Sequence, residues 1–399
     1  MDEIDELLTR GVERIYPSRE ALGSVLRSDK KLRLYQGFDP SMPNLHLGHL
    51  VGLLKLRQFQ DLGHEVIFLI GDFTGMIGDP TDKSAARPRL TREQVLKNAK
   101  NWKEQAGRIL NFDGENPAKI MFNSAWNDKI TFKNLIEITS NFTIQQLLER
   151  DMFQKRMKMG KPIFLHEFLY PVAQAIDCVE MDVDLEVGGS DQTFNMLAGR
   201  ILMKALKRKE KFVLTTKLLV DSKGEKVGKT AGNALFLNAT PAEMYGGIMS
   251  FPDEVIPLAF ELLSRVSLEL VEEHEKALQG GKVNPMDLKK QLAFEIVKLY
   301  HGEKPAKEAQ EEFERVFQKG QAPVYNILTY YTKRKESNIV DLLVETKLAS
   351  SRSGAKRLVE QGGVEVDGKQ IADIRHQITV KDGMIIRAGK RRFVRLKLT

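Results

Sequence analysis

The stretch LRLYQGFDPSMPNLHLGHLVGLLKLRQFQDLGHEVIFLIGDFTG, residues 32 to 75, reads as strand, loop, helix, strand. LRLYQGFDP (32–40) has the pattern of a short strand ending in a turn, and LVGLLKLRQFQDLG (50–63) that of a helix stopped by Gly63. HEVIFLIGDFTG (64–75) is apolar enough for a buried strand and runs into a glycine-bearing loop. Together they begin an α/β unit with a parallel sheet. Further along, KIMFNSAW (119–126) is a third candidate strand, and LEVGGSDQTFNMLAGRILMKAL (185–206) repeats the strand, glycine turn and helix. The carboxyl ends of these strands carry polar loops, where open α/β folds bind ligands.

His46 and His49 stand in the loop-to-helix passage of the first unit. In a helix starting near Leu45 they are i,i+3 neighbours on the first turn, where free N–H groups and the helix dipole favour anions. Gly48 between them leaves room for a flat group to approach the backbone. Both could instead be helix caps. No cluster of Cys, His or carboxylate at a zinc-like spacing lies nearby.

The chain has 399 residues, too many for one ordinary core, and 42% hydrophobic with 29% charged residues describes a globular protein. A single cysteine excludes an intramolecular disulfide and fits a reducing compartment. MDEIDELLTRGVERIYPSRE lacks the apolar region of a signal peptide, and no run has the length of a membrane span, so the cytoplasm is the expected location. Residues 331–399 hold 16 Lys and Arg against 8 Asp and Glu, and the rest of the chain 45 against 46, so the basic excess belongs to the tail. That asymmetry suits a polyanionic partner for the tail, or a solvated basic surface.

From about Thr240 to Val324 the periodicity is helical. YYTKRKESN (330–338) is charged and poor in apolar residues, which suggests a linker. The expected organisation is a parallel-sheet domain over 1–230, a helical domain over 231–328, a linker over 329–336 and a small α+β domain over 337–399. DSKGEKVGKTAG (221–232) is a near miss for a P-loop: Gly224 and Gly228 enclose three residues where four are required. What remains is a glycine-bearing segment in which Lys226, Lys229 and Thr230 could reach a triphosphate, or a solvated basic turn.

HLGH after the first strand and KVGKT after the α/β region resemble the two signatures of the class I aminoacyl-tRNA synthetases. YQGFDPSMPNLHLGH (35–49), GDPTDKS (78–84), YPVAQAID (170–177) and VGGSDQ (187–192) narrow the likeness to the bacterial tyrosyl-tRNA synthetases, over nearly the whole chain. The resemblance implies a Rossmann-like catalytic domain, a helical domain facing the anticodon region and a small RNA-binding domain. It further implies that tyrosine and ATP form tyrosyl-adenylate and pyrophosphate, and that tyrosine then passes to the 3′ end of tRNA(Tyr). Tyr170, Gln174 and Asp177, at i, i+4 and i+7 of a helix starting at or just before Pro171, form one polar stripe.

By the same resemblance Tyr170 and Gln174 hold the amino group of tyrosine, while Asp177 and Tyr35 bond its phenol. Asp79 and Gln192 also belong to the amino-acid site, with Gly37 keeping the approach open. Asp39, Gly48, Gly189 and Asp191 would meet the adenylate. His46, His49, Ser41, Lys226, Lys229 and Thr230 would neutralise charge growing on the phosphates, ATP bringing Mg2+ without a fixed protein metal site. A homodimer through residues 125–165 is implied likewise. Thr193 and Phe194 depart from the tryptophan and glycine of many relatives, and Val227 from a bulkier residue.

ASSRSGAKRLVEQGGVEVDGKQI (349–371) reads as a serine-capped helix, a double-glycine exit, and a strand with a turn. Arg352, Lys356 and Arg357 group on its exposed side. This resembles the small RNA-binding fold of a small-subunit ribosomal protein and some pseudouridine synthases, which implies tRNA contact through backbone shape. The rival reading is an RNA-binding factor on a synthetase body that has lost its chemistry.

Overall fold

A computed structural model describes residues 2–81, 89–227, 234–318, 328–389 and 392–398. It divides into two compact units, residues 1–302 and 303–399.

The first unit is built on a six-stranded sheet: β1 (Val12–Tyr16), β2 (Arg33–Phe38), β3 (Glu65–Ile70), β4 (Lys119–Phe122), β5 (Leu185–Gly189) and β6 (Phe212–Thr216), in the order β1-β6-β5-β2-β3-β4. All neighbours are parallel except β1, which runs antiparallel to β6. In β3, EVIFLI is buried from its second residue onward, as a parallel strand covered on both faces should be. The helix Leu47–Asp61 crosses from β2 to β3 and buries Leu50, Leu53, Leu56 and Phe59. Leu62 caps it, and Gly63 takes φ +76° to turn the chain into β3. Strand order reverses between β2 and β5, which opens a crevice beyond their carboxyl ends.

Several boundaries differ from the sequence reading. β1 and β6 have no counterpart in it, and the KIMFNSAW strand stops at Phe122 because Ser124–Asn127 turns as a short helix. The helix bearing Tyr170 spans Leu165–Met181, with Pro171 inside it rather than at its start. Its beginning is set by Glu167, whose carboxylate accepts from Phe164 N at 2.9 Å and takes a bidentate pair from the buried Arg156. The helices Pro241–Met249, Ile256–Leu263, Leu268–Gln279 and Pro285–His301 belong with the sheet in the first unit, not to a separate body over 231–328. Arg10 donates to the carbonyls of Glu261, Ser264 and Val266, and Tyr300 to that of Gln105, which ties them down.

The second unit starts with the helix Glu303–Phe313. The stretch expected as a linker, 329–336, is not one. β7 (Leu328–Thr332) runs parallel to β13 (Arg392–Leu398), and β8 (Glu336–Asn338) pairs with β11 (Gln377–Thr379). The alternation LTYYT suits a sheet edge, and its neighbouring lysines and arginine mislead a reading based on charge. β9 (Val364–Val366), β10 (Lys369–Gln370) and β12 (Ile385–Ala388) complete the sheet β10-β9-β12-β13-β7. The helices Ile339–Glu345 and Arg352–Glu360 contribute Leu342, Leu343, Ala355 and Val359 to a core with Val364, Ile386 and Leu396. Ser351 caps the second of them, accepting from Gly354 N at 3.2 Å.

Candidate active site

A cavity of about 220 Å³ opens where β2 and β5 end. It gathers Tyr35, Gly37, Asp39 and Ser41 from β2 and its loop, His46, Gly48 and His49 from the crossover helix, and Asp79 from the loop beyond β3. Tyr170, Gln174 and Asp177 reach it from the Leu165–Met181 helix, Gly189, Asp191 and Gln192 from the turn after β5, and Lys226 from the later loop. Lys229 and Thr230 lie outside the described residues. Arg352, Lys356 and Arg357 are exposed on the second unit, Arg352 paired with Asp341.

The histidines cap the helix and line the cavity at once. The helix starts at Leu47, so His46 is its N-cap rather than part of its first turn. His46 Nδ1 accepts from Gly48 N at 3.1 Å, His49 Nδ1 accepts from His46 N at 3.1 Å, and the rings stack 3.8 Å apart. A Cβ at Gly48 would stand 2.9 Å from His46 Cε1. The place a Cβ would take at Gly48 is therefore occupied by the imidazole, while Gly48 itself lines the cavity.

Two carboxylates of the cavity are each held by several donors. Asp39 accepts from Thr74 Oγ1 at 2.6 Å and Tyr170 Oη at 2.7 Å. Asp79 accepts from Gln192 Nε2 at 2.7 Å and from Thr81 N and Oγ1 at 3.0 and 2.6 Å. Arg150, buried, donates to Thr81 Oγ1 at 2.7 Å and lies 5.0 Å from the centre of the Phe194 ring. That contact gives Phe194 a role in holding the guanidinium near Asp79.

Asp177 is 2% exposed. It accepts from Trp126 Nε1 at 2.7 Å, Asn127 Nδ2 at 3.0 Å and Asn123 Nδ2 at 3.1 Å. Burial pushes its carboxyl up to about 8 against the pull of those three donors. Tyr35 does not meet Asp177 in this structure: its hydroxyl donates to Glu186 Oε1 at 2.6 Å. At the rim, Lys226 Nζ meets Asp191 Oδ2 at 2.6 Å.

Glu186, Lys211, Cys178, Asn123, Asn127, Trp126 and Arg150 do not stand out from sequence alone. One signal is available for Glu186, a lone carboxylate inside LEVGG, an otherwise apolar parallel strand. The asparagines sit in a polar stretch just past β4, which the sequence pattern continues as strand. Among the described residues no group of three His, Cys, Asp or Glu side chains could hold a metal ion. No helix among them is long and apolar enough to cross a membrane.

The family model for class I tRNA synthetases (W and Y) matches residues 27–318, and a tyrosine–tRNA ligase SYY-like C-terminal domain matches 317–396. The chain belongs to the class I tyrosine–tRNA ligase family. A tyrosine–tRNA ligase of Thermotoga maritima is 45% identical over 99% of this chain and 97% of its own length; one of Haemophilus ducreyi is 43% identical over 98% and 96%. Among solved structures, a C-terminally truncated mitochondrial tyrosyl-tRNA synthetase of Coccidioides posadasii aligns with a TM-score of 0.63 at 24% identity, over 78% of this chain and 91% of that one. A tyrosyl-tRNA synthetase of Archaeoglobus fulgidus complexed with L-tyrosine aligns with a TM-score of 0.59 at 22% identity, over 77% and 100%. These two likenesses concern the fold of the family's tyrosine–tRNA ligases.

Proposed function

We infer that the chain is a tyrosine–tRNA ligase, which activates tyrosine with ATP and transfers it to the 3′ end of tRNA(Tyr). The observation that carries this is the cavity itself, which has a buried carboxylate, Asp177, at one end and a histidine-capped helix start at the other. In the first step the carboxylate of tyrosine attacks the α-phosphorus of ATP, an O–P bond forms, and pyrophosphate leaves with the electrons of the broken P–O bond. The nucleophile is already anionic, so no general base is needed, and the task is alignment and charge neutralisation. His46, His49, Ser41, Lys226, Lys229 and Thr230 serve the phosphates, and Asp39, Gly48, Gly189 and Asp191 the adenosine and adenylate. Magnesium arrives with ATP, keeping phosphate and water oxygens as its ligands.

Asp79, Tyr170, Gln174 and Gln192 take the ammonium side of tyrosine, with Gly37 beside them, and Asp177 and Tyr35 take its phenol. A site built to bond a substrate hydroxyl strongly rejects the analogue that lacks it, tyrosine against phenylalanine in this same enzyme family being the established example. In the second step the terminal ribose hydroxyl of tRNA attacks the acyl carbon and AMP leaves. Arg352, Lys356 and Arg357 lie on the exposed side of their helix, which suits contact with a phosphate backbone.

The region 125–165 exposes Phe132, Ile136, Ile144, Met159 and Leu165, each more than half accessible, which supports a second copy of the chain as its cover. The cytoplasm is the compartment where the tRNA partner is charged. The test is ATP–pyrophosphate exchange with each of the twenty amino acids, followed by charging of tRNA(Tyr). Exchange with tyrosine alone is expected. Exchange with tryptophan or with none would replace the reading, the latter by an RNA-binding factor.

A further inference from the structure

At the inner wall of the cavity the Tyr35 hydroxyl meets Glu186 and Cys178, and Gln174 and Lys211 in turn hold Glu186. Tyr35 and Glu186 are register partners on β2 and β5, so their side chains share one face of the sheet. Glu186 Oε1 accepts from Tyr35 Oη at 2.6 Å and from Gln174 Nε2 at 2.8 Å, and Glu186 Oε2 accepts from Lys211 Nζ. Lys211 also meets Met196 O at 3.0 Å and Cys178 Sγ at 3.1 Å. Tyr35 and Lys211 have no exposure and Glu186 has 1%. The pocket for the ammonium is made by Gly199 on the Thr193–Lys207 helix, where a Cβ would stand 2.7 Å from Lys211 Nζ and 2.6 Å from Cys178 Sγ. Burial alone would lower the Lys211 ammonium, but Cys178 and Glu186 beside it hold it above its ordinary value. Burial pushes the Cys178 thiol up to about 12, so it keeps its proton.

The hydrogen-bond inventory follows from these partners. Tyr35 has one proton, and Glu186 accepts it. In the 3.1 Å contact of Tyr35 Oη with Cys178 Sγ only the thiol can then donate, and Gln174 O and Glu186 Oε2 at 3.5 and 3.4 Å compete for its one proton. What Tyr35 can offer the cavity is a lone pair, while the oxygens of the nearby Asp177 carboxyl already accept three N–H groups. A ligand hydroxyl meeting Tyr35 finds an acceptor.

We propose that Glu186 and Lys211 are a buried positioning pair that fixes the direction of the Tyr35 proton, so that the phenol end of the site selects the neutral, proton-donating phenol and excludes the phenolate. This rests on tyrosine as the substrate. The pair acts through Tyr35 and does not touch the reacting atoms. The titratable and charged groups around the Tyr35 hydroxyl are Glu186 from β5 and Cys178 from the Leu165–Met181 helix, which touch it, Asp177 of the same helix, which acts on it through space, and Lys211 from the turn before β6, which pairs with Glu186. Their titration in the free protein is common to both substrates, so it cancels from the ratio of kcat/KM for two substrates on one protein.

The experiment measures pyrophosphate exchange from pH 6 to 9 with tyrosine and with 3,5-difluorotyrosine, whose phenol is more acidic at nearly the same size. In the unaltered full chain the ratio of kcat/KM for difluorotyrosine to that for tyrosine is expected to fall at least tenfold as the fluorinated phenol ionises, through KM and not kcat. A ratio flat across that range overturns the proposal without any variant. The second arm replaces both charges at once, Glu186→Gln with Lys211→Met, which preserves volume and leaves no unpaired buried charge. Its ratio is expected to flatten, because a neutral amide in place of the carboxylate no longer commands the Tyr35 proton, and its preference for tyrosine over phenylalanine to drop about tenfold or more. A double variant that keeps the native pH dependence overturns the assignment to this pair. If tyrosine supports no exchange in the unaltered chain, it is the substrate reading that fails.

Discussion

At the inner end of the cavity Tyr35, Asp177, Glu186 and Lys211 are at most 2% exposed, and each has two or more side-chain partners. At the rim the Lys226 side chain is 29% exposed and meets Asp191 from a loop, while the two histidines hang on a helix start. The inner groups must be right before the ligand comes, because a buried polar atom left without a partner costs about 1–3 kcal/mol. Water screens Lys226, which in the proposed reaction would be placed by the phosphates it meets. In the proposed reaction the contrast divides the work: the interior would determine which amino acid enters, and the rim would handle charge that exists only during reaction.

The sharpest way to break this division is Asp177→Ala. We expect kcat/KM for tyrosine to fall roughly 10³-fold, from a lost hydrogen bond to the substrate and three stranded N–H donors, while the KM for ATP stays within about threefold. Equal losses for both substrates, measured by pyrophosphate exchange, would erase the distinction between the two ends. Next is His46→Ala, which removes a cap worth about 1 kcal/mol and an imidazole facing the phosphates. A fall in kcat of roughly 10²-fold is expected, with little change in the tyrosine KM. An effect confined to thermal stability would leave His46 as a cap only.

The pH dependence of stability sharpens the comparison from the inner side. Asp177, raised from 3.8 to about 8 by burial, keeps a proton in the folded chain that the unfolded chain has lost across that interval. Its contribution is therefore fully present below about pH 4 and declines as pH rises toward 8. The gap in Tm between the native chain and Asp177→Ala should shrink by a few degrees from pH 5 to pH 8 without tyrosine. A constant gap in calorimetry would mean that the three N–H donors keep Asp177 ionised throughout. The smallest effect belongs to Lys226→Ala, whose partly exposed pair contributes no more than about 1 kcal/mol to folding. Thermal melts should scarcely move while the KM for ATP rises several-fold; a large loss of stability would make the rim as rigid as the interior.

The α/β core is legible because it is periodic: the run from Leu32 to Gly75 has one reasonable pattern, His46, Asp79 and Asp191 sit where strands or helices begin or end, and Asp177 lies on the polar stripe of a helix. The serine-capped helix after Ser351 is legible for the same reason. Edge strands are not. β1 is written VERIY, with only Ile15 buried, and pairing with β6 makes it a strand. β7 is hidden by the charges that follow it. The inner cluster is out of reach for a different reason: Glu186 and Lys211 are 25 positions apart and Tyr35 another 151, and register between β2 and β5 is what unites them. A helix start moved by about six residues has little consequence, since Tyr170, Gln174 and Asp177 keep one face wherever the helix begins.

The glycine at 199 ties three distant positions into one inheritance. A change at Lys211 alone leaves a carboxylate buried without its counter-ion, a change at Glu186 alone leaves an ammonium, and any side chain at 199 expels the ammonium from its niche. Single steps away from this arrangement therefore pass through chains that fold poorly, although the arrangement with all three replaced can be sound. Lineages that carry this tyrosine site should hold Glu186, Lys211 and Gly199 together or exchange them together, and directed variation of the site will need to move them in one step.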